Sequence, residues 1–232
     1  MADSDRVNGD SNEPRRIIFA RHGQTEWNKE LRFQGKTNVQ LTETGRQQAH
    51  ALAERLSSWP LEVVYTSPLD RAKFTAYAIA ERHNITPIEL NELQEIDFAS
   101  WEGQSIPLLK KEQHEAYARW RADPFFNPPK GAESWEHLHI RLTRAVKIIL
   151  DGPQKRIAVV SHGGIMRAIY AVFLGLNPHK VWNMEVSNCA MSGVVMSNGR
   201  PCLAFTNDDM HVRAGEAGQK LPVWSDTYGV RL

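Results

Sequence analysis

In RIIFARHG, residues 16–23, a short apolar run leads directly into charge and glycine. The run RIIFA is bounded by polar sequence and predicts a buried β-strand. A second stretch of the same design, RIAVVSHGG at residues 156–164, predicts another buried strand over its apolar letters. Each predicted strand therefore runs into a histidine followed by glycine, His22 in the first case and His162 in the second.

Helical and strand patterns alternate along the rest of the chain. An apolar stripe at helical spacing follows Thr42 or Thr44, and Ser67-Pro68 matches the start signal of a second helix. The remaining patterns predict helices over Ser134–Leu150 and Ile165–Leu174, and strands over Glu62–Thr66, Pro87–Leu90, Ala190–Met196 and Cys202–Phe205. This alternation predicts an α/β three-layer sandwich, a mostly parallel sheet with helices on both faces. Ligands of such sheets bind beyond the carboxyl ends of the strands, where both histidines are expected.

One domain accounts for most of the 232 residues, which are enough for a well-buried α/β core. We predict that it spans residues 16–211, after a disordered polar tail at 1–15 and before a C-terminal tail of unknown role at 212–232. Residues of about 103–130 differ in character, since a charged and helical piece precedes the sequence DPFFNPP. They predict a helical and loop insertion over the active-site end of the sheet.

Composition excludes several classes of function. Lys plus Arg is 28 and Asp plus Glu is 27, so a net charge of +1 gives no field that attracts nucleic acid or an anionic membrane. Two cysteines, Cys189 and Cys202, are too few for a disulfide framework and predict a reduced protein in the cytoplasm. His137 and His139 lie on different faces of one predicted helix, and zinc-ligand spacing occurs nowhere else, so we predict no metal and no cofactor. A homodimer remains an open alternative.

His22 has the setting of a nucleophile. Gly23 lets the backbone approach a ligand closely, and the Arg21 guanidinium can bind a phosphate through two hydrogen bonds. A loop histidine that only bonds a backbone carbonyl is the alternative, and for an isolated tripeptide it is the better one.

Three further sequence motifs favour the interpretation of His22 as a nucleophile. The stretch RHGQTEWN at residues 21–28 resembles the signature of the histidine phosphatase superfamily, in its phosphoglycerate-mutase-like branch. SPLDRA at 67–72 resembles the second block of that family, LQEIDF at 93–98 with the following WEG resembles the third, and VSHGG at 160–164 resembles the fourth. The blocks stand in the family's order, so the resemblance implies a phosphoglycerate-mutase-like fold.

The resemblance also implies roles for individual residues. His22 would attack a phosphomonoester to give a phosphohistidine, Glu95 would act as general acid and then base, and His162 would complete the catalytic set. The phosphate and substrate would be held by Arg21, Asn28, Gln34, Gly35, Arg71 and Gly163. From the residues alone, Arg21, Arg71 and His162 can supply the positive donors that a transferring phosphoryl needs, with Asn28 as a neutral donor. Glu92, Asp97 and Glu102 are rival carboxylates for the acid.

The implied reaction is hydrolysis of a small phosphorylated metabolite. The mutases of the family carry a tyrosine three residues after the acid and a lysine further on, whereas this chain has Phe98 and Ile106 there. A mutase is therefore the second choice. A non-catalytic phosphoester-binding protein is a third, disfavoured because the set of functional residues is complete. A nucleotide-binding domain is disfavoured because no GxGxxG or GxxxxGK[ST] motif follows a predicted strand.

The insertion has two interpretations. Trp120, Phe125 and Phe126 could form an apolar wall of the substrate pocket, or they could pack the insertion onto the sheet. Its basic residues could bind an acidic substrate or lie on a solvated face, namely Lys110, Lys111, Arg119 and Arg121.

Overall fold

Six strands form a sheet in the computed structural model, which describes residues 13–213. The strands are β1 (Arg16–Arg21), β2 (Val63–Thr66), β3 (Ile88–Glu89), β4 (Arg156–Ser161), β5 (Met191–Ser197) and β6 (Arg200–Asp208). Their order across the sheet is β3-β2-β4-β1-β5-β6. The first four are parallel neighbours, while β5 pairs antiparallel with both β1 and β6. The mostly parallel sheet is confirmed.

The strands β1 and β4 lie side by side at the centre of the sheet. Their register places Arg21 beside Ser161, so both strands end at the same level. Because the two strands are parallel, His22 and His162 leave the sheet at the same edge. The backbone N–H of His22 donates to the carbonyl of Ser161 at 3.0 Å, which continues the pairing one residue beyond β1.

Helices cover both faces of the sheet. The helices are α1 (Glu26–Lys29), α2 (Glu43–Leu56), α3 (Asp70–Glu81), α4 (Ile106–Glu112), α5 (His114–Ala122), α6 (Trp135–Asp151), α7 (Gly163–Leu174) and α8 (Met210–Arg213). Alternate residues of a strand point to opposite faces. Ile18 of β1 accordingly packs in a core with α2 and α3, whereas Ile17 packs in a second core with α6 and α7. The predicted three-layer sandwich is confirmed.

The start of α3 corrects one prediction. Ser67-Pro68 does not begin this helix, since Asp70 is its first residue and Leu69 its N-cap, without a side-chain cap bond. The Ser67 hydroxyl instead accepts from the Leu69 N–H at 3.3 Å and bonds the His162 ring at 2.8 Å. The Ser67 hydroxyl is thus engaged by the site, and the helix starts two residues later than predicted, at Asp70 instead of Pro68.

Other elements agree with their sequence patterns. Thr42, rather than Thr44, caps α2 through its hydroxyl, which accepts from the Gly45 N–H at 2.9 Å. Asn198 and Gly199 turn β5 into β6 with φ of 49° and 75°, the left-handed conformation of a tight hairpin turn. The charged piece of the insertion is two helices, α4 and α5, where the sequence suggested one.

Residues 13–15, which precede the predicted domain, contact the end of α6 and the start of β4. Arg15 donates to the carbonyls of Gln154 at 2.9 Å and Leu150 at 2.6 Å, and Glu13 pairs with Arg156 at 2.8 Å. The rest of the predicted N-terminal tail and the C-terminal tail from residue 214 lie outside the described residues. Within residues 13–213, no helix is both long and apolar enough to cross a membrane.

Candidate active site

His22 is held as a neutral ring with one nitrogen free. Its Nδ1 lies 2.7 Å from the carbonyl of Gly23. Because a carbonyl can only accept, Nδ1 carries the proton and Nε2 keeps its lone pair. Burial, then the positive charges of Arg71 and Arg21, hold the pKa of His22 well below its ordinary value. The ring is therefore uncharged at neutral pH, with one proton on Nδ1 and a lone pair on Nε2. This is the form that a nucleophile needs.

His162 lies beside it in a different state. The two ring centroids are 5.1 Å apart, and His162 is fully buried. Its Nδ1 accepts from Arg71 Nε at 3.2 Å, so the ring proton is on Nε2, which donates to Ser67 Oγ at 2.8 Å. Burial and the charge of Arg71 hold its pKa well below the ordinary value. His162 is thus neutral, which corrects the expectation that it supplies a positive donor.

The positive charge of the site comes from arginines. The guanidinium of Arg71 has five N–H donors, and three of them bond His162, the Thr37 carbonyl at 2.8 Å and the Gly35 carbonyl at 2.7 Å. Arg21 donates through Nη1 to the Val186 carbonyl at 2.7 Å. Burial, as the largest cause, lowers the pKa of each arginine to about 10, so both remain charged at pH 7.

Both arginines keep donors for an anion. Two N–H groups of Arg71 are left after its three bonds. The Nε of Arg21 is buried and has no hydrogen-bond partner among the described residues. A buried donor without a partner is costly, and an anion in the pocket would satisfy it. A Cβ on Gly163 would lie 3.4 Å from this Nε, so glycine there keeps the approach to Arg21 open.

Glu102 organises the loop that holds Arg71. Its carboxylate accepts from the Lys36 N–H at 2.9 Å, from the Thr37 N–H at 3.0 Å and from the Thr37 hydroxyl at 2.5 Å. Gly35 has a φ of +53°, and a Cβ there would meet Glu102 Oε1 at 1.8 Å. A side chain at position 35 would therefore be strained and would displace Glu102, and the Gly35 and Thr37 carbonyls fix the Arg71 guanidinium.

Glu95 is the carboxylate that reaches the pocket. Its Oε2 accepts from the Gly164 N–H at 3.2 Å and its Oε1 from the Ile96 N–H at 3.0 Å. A Cβ on Gly164 would lie 2.6 Å from Glu95 Oε1, so the glycine admits the carboxylate. The rivals Glu92, Asp97 and Glu102 do not line this pocket. Asp97 bonds the Ala99 N–H at 2.8 Å, so it serves the local turn.

Asn28 completes the ring of polar side chains. It lies on α1, whose first turn is closed by reciprocal bonds between Thr25 and Asn28. Its Oδ1 accepts from Thr25 and from the Asn188 side chain, and its Nδ2 donates to no other described residue. Asn28, Gln34 and Gly35 all line the pocket. The structure therefore brings together all the predicted site residues, and all of them line the pocket except His162, which is fully buried behind Arg71 and His22.

The pocket is a cleft open to solvent, with one polar and one aromatic side. The polar side carries the residues described above. The other side is formed by Phe33, Phe98, Ile106, Trp120 and Trp182. Phe33 and Trp120 meet edge to face with centroids 5.0 Å apart, which makes this side rigid. A substrate would place its phosphate against the arginines and its remainder against the rings.

Of the three insertion aromatics proposed for the wall, Trp120 alone lines the cleft. Phe125 is buried against Trp135 and Trp182 in the core, and Phe126 stacks on His179 with centroids 4.1 Å apart. The wall prediction therefore holds for Trp120 and the packing alternative holds for Phe125, whereas Phe126 is 39% exposed and fits neither interpretation. The basic residues of α4 and α5 are exposed and do not line the cleft, as a solvated face requires.

Several contributors were missed by the sequence interpretation, among them Phe33, Arg167, Trp182 and Asn188. Arg167 lines the pocket from α7, where it donates to the Gly163 carbonyl at 3.0 Å and lies 5.0 Å above the Trp182 ring. Its position four residues after Gly163 on one helix face was a usable signal. Trp182 and Asn188 come from the segment before β5, for which the sequence offered no pattern.

Among residues 13–213, no three His, Cys, Asp or Glu side chains lie close enough together to hold a metal ion.

Comparison with known proteins places this site in a family. Residues 17–209 match the family model of the histidine phosphatase superfamily, branch 1. Phosphoserine phosphatase 1 of Hydrogenobacter thermophilus is 34% identical over 202 residues, which cover 85% of this chain and 94% of that protein.

Solved structures agree with the family match. YhfR of Bacillus stearothermophilus has a TM-score of 0.79 at 27% identity and covers 85% of this chain and 98% of its own. A mycobacterial glucosyl-3-phosphoglycerate phosphatase, solved in complex with VO3, has a TM-score of 0.76 at 27% identity and covers 83% and 98%. The chain belongs to the histidine phosphatase superfamily and is a hydrolase of phosphoric monoesters.

Proposed function

We propose that the protein hydrolyses a small phosphorylated metabolite through a phosphohistidine on His22. One observation carries this proposal. His22 is neutral, with its proton fixed on Nδ1 by the Gly23 carbonyl, and its free Nε2 belongs to a pocket that holds two buried arginines. A nucleophilic nitrogen beside anion-binding groups is what phosphoryl transfer to histidine requires.

The first half-reaction uses the polar side of the cleft. The phosphate accepts hydrogen bonds from Arg21 Nε, from the two remaining N–H groups of Arg71 and from Asn28 Nδ2. His22 Nε2 attacks phosphorus in line, a P–N bond forms, and the bond from phosphorus to the ester oxygen breaks. Protonated Glu95 gives its proton to the leaving oxygen, so an alcohol departs. The His22 Nδ1 proton stays hydrogen-bonded to the Gly23 carbonyl oxygen, and this acceptor stabilises the positive charge of the phosphorylated ring.

The second half-reaction restores the enzyme. Glu95, now a carboxylate, takes a proton from water, and the hydroxide attacks phosphorus. The P–N bond breaks, inorganic phosphate leaves, and His22 is again neutral while Glu95 is again protonated. Hydrogen bonds from Gly164 and Ile96 fix the Glu95 carboxyl group in both steps. His162 contributes by holding the Arg71 Nε, which orients that guanidinium toward the phosphate.

The aromatic side of the cleft favours hydrolysis over return of the phosphoryl group to a sugar acid. Phe98 and Ile106 both line the pocket. These are the positions at which the mutases are expected to carry a tyrosine and a lysine, so the phenol and the ammonium that would grip a phosphoglycerate are replaced by apolar groups. We propose that water rather than a second sugar-acid hydroxyl receives the phosphoryl group.

The proposal is tested by phosphate release from p-nitrophenyl phosphate and from a panel of sugar, sugar-acid and amino-acid phosphomonoesters, with excess chelator. We expect release that persists under chelation and disappears in His22→Ala, and the ranking of the panel identifies the substrate class. Transfer of phosphate between positions of a phosphoglycerate, without net release, would support the mutase instead. Release that His22→Ala leaves intact would overturn the proposal.

The role of Glu95 is tested by leaving groups of different basicity. Glu95→Gln removes the proton donor and keeps the shape of the side chain. We expect it to slow release from an alkyl phosphate by about 10²- to 10⁴-fold, while p-nitrophenyl phosphate, whose leaving group needs no proton, is slowed much less. Glu92→Gln, on a carboxylate outside the cleft, is the matched control. Equal slowing of both esters would contradict the assignment of Glu95 as the acid.

A further inference from the structure

The segment between α7 and β5 supports the polar side of the cleft from behind. The Val186 carbonyl accepts from Arg21 Nη1 at 2.7 Å, and the Cys189 N–H lies 3.2 Å from the Arg21 carbonyl and 3.3 Å from the His22 carbonyl. Asn188 lies between them, and its side chain bonds the His22 carbonyl at 3.0 Å and Asn28 Oδ1 at 3.2 Å. This short segment therefore contacts three residues of the proposed phosphate site.

The direction of these bonds can be deduced from the donors alone. The His22 carbonyl can only accept, so the Asn188 atom facing it is the Nδ2 amide, which can only donate. The same Nδ2 also faces Asn28, so the Asn28 atom facing it is the oxygen. The Thr25 N–H, another obligate donor, points to the same oxygen at 3.1 Å. Two obligate donors thus fix the Asn28 oxygen on the protein side.

With the Asn28 oxygen held on the protein side, the Asn28 Nδ2 is the amide atom left for the phosphate. An amide turned over would present its oxygen to a phosphate and would repel it, whereas the observed orientation presents Nδ2. The bond to the Thr25 hydroxyl is compatible with both orientations of the Asn28 amide, because a hydroxyl both donates and accepts. We propose that Asn188 is a positioning residue, which links the carbonyl of the nucleophile to Asn28 and sets the Asn28 amide to donate to the phosphate.

This inference rests on the proposed function, since it assumes that Asn28 donates to the phosphate. The test is a double-mutant cycle of Asn28→Ala and Asn188→Ala. The readouts are the inhibition constant of inorganic phosphate and kcat/KM for p-nitrophenyl phosphate. A residue that acts through another has no effect once the other is removed, whereas independent effects multiply.

We expect each single variant to weaken phosphate binding by about tenfold, the size of one lost charge-assisted hydrogen bond. Asn188→Ala should add less than about twofold in the Asn28→Ala background, because the Cys189 N–H still bonds the His22 carbonyl. Asn188→Asp has the same shape but lacks the amide donor, and we expect a loss at least as large as that of Asn188→Ala. Ser187→Ala, on the adjacent residue, is the matched control and should match the wild type.

The possible failures are distinguishable. If Asn188→Ala weakens phosphate binding by the same factor in both backgrounds, or does not weaken it at all, Asn188 does not act through Asn28 and the inference is wrong, while the proposed function stands. If Asn28→Ala leaves phosphate binding unchanged, the assignment of Asn28 as a phosphate donor fails, and the inference fails with it. Melting temperatures of all variants, and the behaviour of Asn188→Asp, separate these results from a loss of folding.

Discussion

His22 and His162 both follow a central parallel strand, both precede glycine, and their rings lie 5.1 Å apart. Their hydrogen bonds nevertheless differ. One ring nitrogen of His22 is bonded and the other is free, whereas both nitrogens of His162 are engaged, by Arg71 and by Ser67. The difference shows that a shared sequence context and a shared burial do not give a shared role. The partner atoms decide which histidine can attack and which one holds an arginine.

The largest expected effect separates the two rings directly. Asparagine in place of His22 removes the nucleophile, and we expect kcat for p-nitrophenyl phosphate to fall by about 10⁴-fold or more. Asparagine in place of His162 loses the acceptor and donor that hold Arg71 and Ser67, and the expected loss is about 10- to 100-fold. Steady-state kinetics of the two variants measure both losses in kcat. Equal losses would mean that the difference in hydrogen bonding has no functional meaning.

A smaller effect concerns acid stability. The pKa of both histidines is lowered in the folded protein, so the unfolded chain binds their protons first as the pH falls through about 6.5. Stability from these groups is therefore present above pH 6.5 and is lost below it.

The free energy of unfolding should drop by up to about 1.4 kcal/mol per pH unit for each histidine between pH 6.5 and 5. Urea titrations at several pH values measure the slope. The slope should be shallower in the His22→Asn variant than in the wild type, and an unchanged slope would show that His22 does not contribute to it.

The smallest effect sharpens the assignment of His162. Ser67→Ala removes the acceptor of the His162 Nε2 proton but leaves its bond to Arg71. The loss of one neutral hydrogen bond predicts a fall of about three- to tenfold in kcat/KM. Because Arg71 is then less well oriented for binding the phosphate, we expect KM to rise while kcat stays unchanged. A fall as large as that of His162→Asn would place Ser67 itself in the chemistry.

The sequence predicted the elements that local patterns specify. The strand ends at His22 and His162, the stripe of α2 and the hairpin turn at Asn198-Gly199 all depend on neighbouring residues, and all are found. The resemblance to the family added Arg71 and Glu95, which are distant in sequence from His22 and lie with it in one cleft.

The remaining features depend on contacts between distant segments. The hydrogen-bond states of the two histidines follow from Gly23, Ser67 and Arg71, and only the fold shows which of these each ring meets. The same holds for Trp182 and Asn188, which precede β5 in a stretch without periodicity. Ser67 gave a misleading signal, since its hydroxyl is a good helix cap in isolation and bonds the His162 ring in the folded protein.

The proposed mechanism requires that His22 carries the phosphoryl group between the two half-reactions. The most direct measurement is to mix the protein with ³²P-labelled p-nitrophenyl phosphate, quench in denaturing alkali within one turnover, and locate the label by mass spectrometry of peptides. We expect an acid-labile, alkali-stable phosphate on His22 that is absent from the His22→Asn variant. Label on another residue, or turnover by the His22→Asn variant at the wild-type rate, would contradict it.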